Sequence, residues 1–295
     1  MSATINQAVY ITVNRKFDGK IRVSYSKTEI VDCVDDIEHN IIREALKLVG
    51  IESAVEVVYM ADLPMGEGGS GLGSSSALAV GVLKALYALC DQHVTAEKLA
   101  TEAFHIERNI LGHPVGKQDH YAAAYGGLNY IQFRPDGSVF VDPVICDVST
   151  KTILARDLKL YYTGLSRISS VVLGDQVKTI NDKLAFYERL TSLADSFLYS
   201  LHSGDLSGCY EHIREGWIIK KSLSGEISNG QIDDWYQAAM DAGANAGKIA
   251  GAGAGGFMMF MCNPDRIESV SRALPGLKMI DVDFDPQGSR IVHLS

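Results

Sequence analysis

The sequence predicts an α+β protein made of two halves that meet near residue 155. Strand-patterned and helix-patterned runs mix on both sides of that point, and the character of the chain changes over 150–156, where a new strand pattern begins. No internal repeat and no low-complexity tail interrupts either half. At 295 residues the chain suits one large or two medium domains with a substantial core.

The elements follow in order. Residues 8–13 read as a strand, and 20–25 alternate apolar and polar as a half-buried strand does. Asp18-Gly19 between them is a hairpin signal, so the two runs are expected to pair. A helix is expected over 38–49, with Ile41, Ile42, Ala45, Leu46 and Val49 on one face. A strand over 54–60 leads through a glycine- and serine-rich stretch into an apolar helical run over 78–90. The part from Ala77 to Leu86 carries one charge, Lys84, so that helix is expected to be buried nearly all round. A further helix over 95–111 is stopped by Gly112-His113-Pro114. Residues 126–133 read as a strand, with a hairpin turn at Pro135-Asp136-Gly137. The second half opens with a strand over 158–163, and helical patterns follow over 175–203, 209–222 and 232–242. It closes with a second glycine cluster, an apolar strand over 257–261, a helix over 264–273 and a strand over 278–283.

Composition excludes several classes of function. Hydrophobic content of 46% and charged content of 21% are ordinary for a globular protein. The longest uncharged apolar run falls short of the roughly 18 residues of a membrane span, and the first residues do not resemble a secretory signal. A net charge of −9 argues against nucleic acid as a partner, so positive charge for an anionic substrate must be local. Five scattered cysteines without metal-ligand spacing read as reduced thiols of a cytoplasmic protein. Nothing in the sequence fixes an oligomeric state.

Most of the chemistry is concentrated in Pro64-Met-Gly-Glu-Gly-Gly-Ser-Gly-Leu-Gly-Ser-Ser-Ser-Ala77. Glycines let the backbone turn sharply and approach a ligand, and a following helix offers its positive end, so the stretch reads as a phosphate loop. A flexible linker is the plain alternative, but linkers seldom run straight into so apolar a helix. A P-loop NTPase is excluded because no Gly-Lys-Ser/Thr ending follows. Gly66-x-Gly68-x-x-Gly71 matches the dinucleotide fingerprint as a string. The acidic position about 20 residues on falls near Asp91, directly after the helix with no strand between.

A wheel at about 100° per residue places Leu99, Ala103, Ile106 and Ile110 in one arc of the 95–111 helix, with Glu107 in its middle. A buried carboxylate must meet a cation, accept several hydrogen bonds or be protonated. It reads either as half of a buried ion pair or as a metal ligand beside the phosphate loop. Gly116-Lys117-Gln118-Asp119-His120 forms a polar island before the 126–133 strand. Asp119 reads there as a surface partner of Lys117 or as a general base on a rigid loop. The second glycine cluster, Gly251-Ala-Gly-Ala-Gly-Gly256, precedes a strand and either packs tightly against another backbone or approaches the first loop and its nucleotide.

These four motifs in this order resemble the GHMP kinase superfamily, and the resemblance covers nearly the whole chain. It implies a two-domain fold, with a ribosomal-protein-S5-domain-2-like half over 1–155 and a ferredoxin-like half over 156–295. It implies ATP and Mg²⁺ as cofactors, with Gly68, Gly69, Ser70, Gly71, Leu72, Gly73, Ser74, Ser75 and Ser76 cradling the nucleotide phosphates. Ser75 and Glu107 match the metal ligands, and Asp119 matches the base toward the substrate hydroxyl, with Lys117 beside it. Three further strings look most like heptose 7-phosphate kinases: Ser24-Tyr-Ser-Lys-Thr-Glu29, Gly116-Lys-Gln-Asp-His-Tyr-Ala-Ala-Ala-Tyr-Gly-Gly127 and Tyr162-Thr-Gly-Leu-Ser-Arg167. By that likeness Lys27, Lys117 and Arg167 would hold the sugar's own phosphate, and Gly253 would line the substrate site. Fucokinase-type sugar 1-kinases share similar strings. The Arg-x-Pro-x-Arg-like segment and its glycine-rich sugar loop, with which these kinases usually begin, have no match here. The sequence therefore also admits a member that binds nucleotide or sugar without turnover, with an exposed strand edge near its start.

Overall fold

Strand β5 (Val55–Ala61) organises the first sheet of the computed structural model, which describes residues 1–64, 71–165 and 169–294, less the side chains of Ser169 and Ser170. By packing, the described residues group into two units. An amino-terminal unit comprises 2–64, 73–127 and 285–294, and a carboxy-terminal unit comprises residue 1 with 71–72, 128–165 and 169–284. The grouping interleaves along the chain, so it neither sets nor moves a boundary near residue 155.

The amino-terminal unit carries β1 (Ser2–Ala3), β2 (Val9–Arg15), β3 (Ile21–Ser24), β4 (Thr28–Val31), α1 (Asn40–Val49), β5, α2 (Ser74–Leu89), α3 (Ala96–Phe104) and α4 (Gln118–Tyr125). Its four-stranded sheet runs β2-β5-β3-β4. The Asp18-Gly19 turn forms, but the strands it joins do not pair, which corrects the expected hairpin. Instead β5 lies between them, antiparallel to β2 over seven residue pairs and parallel to β3. Val55 and Val57 of β5 are fully buried beside Ile21 and Val23 of β3, and this apolar match draws the later strand into the middle. The true hairpin is β3–β4, turned at Tyr25-Ser26-Lys27.

α2 is buried nearly all round as its composition requires, with Leu78, Ala79, Val80, Val82, Leu83, Ala85, Leu86 and Tyr87 inside. It packs on β2, α1, α3 and α4. Gly81 brings it close to Ile11, whose Cγ1 stands 3.1 Å from where a Cβ would be. α1 begins at an N-cap His39 and buries Ile41, Ile42, Ala45 and Leu46. Its entry is held by the buried Glu29 carboxylate, which accepts from the backbone N–H of Glu38 (2.5 Å) and His39 (3.2 Å) and from the Tyr25 hydroxyl (2.7 Å).

The carboxy-terminal unit holds β6 (Leu128–Phe133), β7 (Val139–Pro143), α5 (Val148–Asp157), β8 (Leu158–Tyr162), α6 (Ser169–Thr179), α7 (Leu184–Ser203), α8 (Leu206–Leu223), α9 (Gly230–Asp241), β9 (Ala246–Ile249), β10 (Phe257–Met261), α10 (Ile267–Ala273) and β11 (Lys278–Asp281). β6 and β7 form the hairpin expected at Pro135-Asp136-Gly137. β11-β8-β10-β9 form an antiparallel sheet around Tyr161, Met258, Phe260 and Ile249, against which the fully buried Trp217 of α8 packs. α5 and β9 carried no clear periodicity in the sequence. All five cysteines are free thiols, and no helix among the described residues is long and apolar enough to cross a membrane.

Candidate active site

Three chain segments of the amino-terminal unit bring the chemical groups together. The first is the end of the glycine-serine stretch. Gly73 takes φ +73° and caps α2, so Ser74, Ser75 and Ser76 form the first turn at the positive end of a sixteen-residue helix. Gly68, Gly69 and Ser70 lie outside the described residues.

The second segment supplies Glu107. The expected single helix over 95–111 is α3 followed by a π-helical turn, His105–Ile110. An i→i+5 ladder turns less per residue than an α-helix, so the phase slips by the end of the segment. Glu107 stays inside, 1% exposed, whereas Ile110 swings out to 45% exposed; its expected place in the apolar arc is therefore corrected. π-turns occur mostly as single bulges and often at functional sites.

The third segment is α4. Its first turn is the polar island of the sequence, which proves helical: Lys117 is the N-cap, and Asp119 and His120 follow within one turn. Asp119 is exposed and stands against Gly73. A Cβ on Gly73 would meet Asp119 Cβ at 3.1 Å, Cγ at 3.2 Å and Oδ2 at 3.4 Å. Lys117 Nζ lies 5.6 Å from the centre of the Phe104 ring. His120 is fully buried, edge-on to Phe104, and its Nε2 lies 2.9 Å from Glu107 Oε1.

Glu107 is thus buried and, among the described residues, not paired with a Lys or Arg. Its carboxylate takes a hydrogen bond from His120, the Ser75 hydroxyl lies close enough to favour its charged form, and His113 Nδ1 stands 3.7 Å from Oε2. Burial by itself would push the Glu107 carboxyl up, but His120 first, then the Ser75 hydroxyl and His113, outweigh it. Its pKa therefore lies below the ordinary carboxylate value and the group is ionised at neutral pH. Ser75, Glu107 and Asp119, all singled out in the sequence, are placed here around the start of one helix, whereas the contacts of His113 and His120 with Glu107 were not foreseen. A histidine one residue after a candidate base carries no periodic signal that separates a core ring from a carboxylate partner.

In the carboxy-terminal unit the two glycine clusters meet backbone to backbone. A Cβ on Gly251 would lie 2.5 Å from Gly71 Cα and O, and Gly71 itself takes φ +75°. Gly253 packs on Ile227, whose carbonyl oxygen would be 2.7 Å from a Cβ there, and the Ala254 N–H donates to the same carbonyl at 2.8 Å. Both tight packing and approach to the first loop are therefore realised by different glycines of one cluster. Lys27, on the β3–β4 turn, pairs with Glu38. Arg167 lies outside the described residues.

Two family models match the chain: GHMP kinases N terminal domain over residues 39–127, and GHMP kinases C terminal over 197–278. Among curated proteins, the D-glycero-alpha-D-manno-heptose 7-phosphate kinase of Campylobacter jejuni subsp. jejuni serotype O:2 is 29% identical, with 93% of this chain and 84% of that protein covered. Among solved structures, a D-glycero-D-manno-heptose 1-phosphate kinase from Bacteriodes thetaiotaomicron matches with a TM-score of 0.77 at 27% identity, covering 97% of this chain and 87% of that one. The phosphomevalonate kinase of Streptococcus pneumoniae matches in fold, with a TM-score of 0.80 at 17% identity over 94% of this chain and 90% of that one.

Proposed function

The chain belongs to the GHMP kinase family and is an ATP-dependent kinase, and from that premise we propose that it phosphorylates the anomeric hydroxyl of D-glycero-D-manno-heptose 7-phosphate to give the 1,7-bisphosphate. The observation that carries the reading is one juxtaposition: the Ser75 hydroxyl on the ionised Glu107 carboxylate, with the Asp119 carboxylate beside the glycine that opens the same helix. Two relatives support the sugar, since both are named for heptose phosphates, although their names place the substrate's phosphate on different carbons.

Ser75 and Glu107 fit a magnesium ion. Both are hard oxygen donors, and Mg²⁺ takes only one or two protein ligands beside water and phosphate oxygens. When bound, the ion would draw charge from the β- and γ-phosphates. The backbone of Gly71–Ser76 and the positive end of α2 would bind and orient those phosphates. Asp119 accepts the proton of the attacking hydroxyl as the new oxygen–phosphorus bond forms and the bond to the β–γ bridging oxygen breaks, releasing ADP. Lys117 would steady the charge beside it. For the sugar's own phosphate, Lys27, Lys117 and Arg167 are the candidates. The Lys27–Glu38 pair is exposed enough to be exchanged at little cost. Gly253, packed on Ile227, would serve the substrate site by fixing its loop.

The test is ADP release from Mg·ATP with heptose 7-phosphate, fucose, galactose and mevalonate offered separately. Turnover with the heptose phosphate alone is expected. Preference for fucose would move the substrate to a neutral sugar, and silence with all four beside sound ATP binding would favour a non-catalytic member. Asp119→Asn is expected to lower kcat by about 10²–10⁴-fold with ATP binding unchanged; equal loss of both would remove Asp119 from the role of base.

A further inference from the structure

His120 gives up half of its hydrogen-bonding capacity to reach Glu107. The ring is fully buried, and its Nδ1 has no hydrogen-bond partner among the described residues. A proton on Nδ1 would therefore have no acceptor, so the hydrogen sits on Nε2 and is donated to Glu107 Oε1 at 2.9 Å. Leaving a buried polar atom unpaired costs free energy, and such exceptions in a folded protein call for a reason. A core that needed only volume at this position would be better served by an apolar side chain. The edge-on Phe104 ring, 84° to the imidazole at 5.7 Å, holds the imidazole plane. The π-turn carries Glu107, whose carboxylate meets the imidazole.

Building on the metal reading above, we infer that His120 is a positioning residue for the Ser75–Glu107 pair: its Nε2–H holds the Glu107 carboxylate in the rotation that meets the Ser75 hydroxyl, so that the two oxygen donors stand pre-organised for a divalent cation. His120 itself is not a ligand, because Mg²⁺ prefers oxygen and the only nitrogen facing the carboxylate is the one carrying hydrogen. Outer partners of this kind typically tune metal affinity by about 10–100-fold when removed.

The experiment measures binding of a fluorescent ATP analogue as Mg²⁺ is titrated, with binding in excess EDTA as the metal-free reference and a thermal melt to establish folding. His120→Leu removes the donor and keeps most of the volume; His120→Gln keeps an N–H donor of similar reach; Glu107→Gln removes the carboxylate charge. The Mg²⁺ midpoint of His120→Leu is expected to rise about 10–100-fold with metal-free binding unchanged, and His120→Gln is expected to recover most of the shift. A wild-type midpoint in His120→Leu, beside a shifted one in Glu107→Gln, overturns the role of His120 and leaves the metal reading intact. Equal shifts in the Leu and Gln variants overturn it as well, since the N–H would then not matter. No shift in Glu107→Gln overturns the metal reading, and the inference with it. Should His120→Leu fail to fold, His120→Met provides the same donor-free comparison.

Discussion

A single methyl group separates Gly73 from a blocked site. The residue sits at φ +73°, where an L side chain costs roughly 1–2 kcal/mol, and its missing Cβ leaves the space that Asp119 fills. Gly73→Ala is therefore expected to lower the melting temperature only slightly while displacing the Asp119 carboxylate. The measured outcome should be a fall in kcat of tenfold or more with a small change in thermal melt; a large melt change with normal kcat would show that Asp119 holds its place and the backbone bears the strain. At Glu107 the depressed pKa makes a statement about stability. A carboxyl whose folded pKa lies below its unfolded value contributes stability above the unfolded value, about 4.3, and loses it as pH falls through the folded one. Urea midpoints measured from pH 6 down to pH 3 should thus fall more steeply in the wild type than in Glu107→Gln. Parallel curves would mean that Glu107 is not held ionised. Both residues were legible in the sequence, one as a glycine entering a helix and the other as a carboxylate in an apolar arc.

At the scale of elements, the sequence showed which segments fold and concealed how some of them meet. A uniform 100° wheel puts Ile106 and Ile110 on one face, yet the π-turn keeps Ile106 fully buried and turns Ile110 outward. The two positions give opposite predictions. Ile106→Ala should cost about 2–5 kcal/mol in urea denaturation, whereas Ile110→Asn should stay within about 0.5 kcal/mol. Comparable losses at both would restore the regular helix. The π-turn was illegible because nothing in local composition marks an extra residue per turn. The expected hairpin failed for a related reason. Asp18-Gly19 satisfies the local rule, but the fully buried Val55 and Val57 of β5 compete for the same edge of β3 and win through burial across the sheet. α4 stayed hidden because Lys117-Gln-Asp-His carries no apolar period; its helical character comes from packing on α2 and α3.

Across the whole molecule, the most distant parts of the chain meet on the helix that carries Asp119 and His120. The Thr4 N–H donates to the Gly127 carbonyl at 2.9 Å, and the Thr4 hydroxyl donates to Ala122 at 2.9 Å. From the other end of the chain, the Asp285 N–H donates to Thr4 at 2.9 Å, Gly127 donates to Asp285 at 2.8 Å, and the Ser289 N–H donates to Ala123 at 2.9 Å. These bonds clasp the end of α4 opposite the turn that carries Asp119, so residues near 4 and 285–289 help fix where Asp119 and His120 stand. Gly288 and Gly126 pack tightly against each other's segment of the clasp, a Cβ on Gly126 coming 2.0 Å from Gly288 N. A Cβ on Gly288 would lie 2.2 Å from the Ala124 carbonyl oxygen and 2.6 Å from its carbon, so even alanine must open the clasp. Gly288→Ala is accordingly expected to raise amide hydrogen exchange over 118–127 and to lower kcat, while nucleotide binding without metal stays near normal. Unchanged exchange in those residues would show that α4 is held by α2 and α3 alone, and that the far end of the chain only covers it.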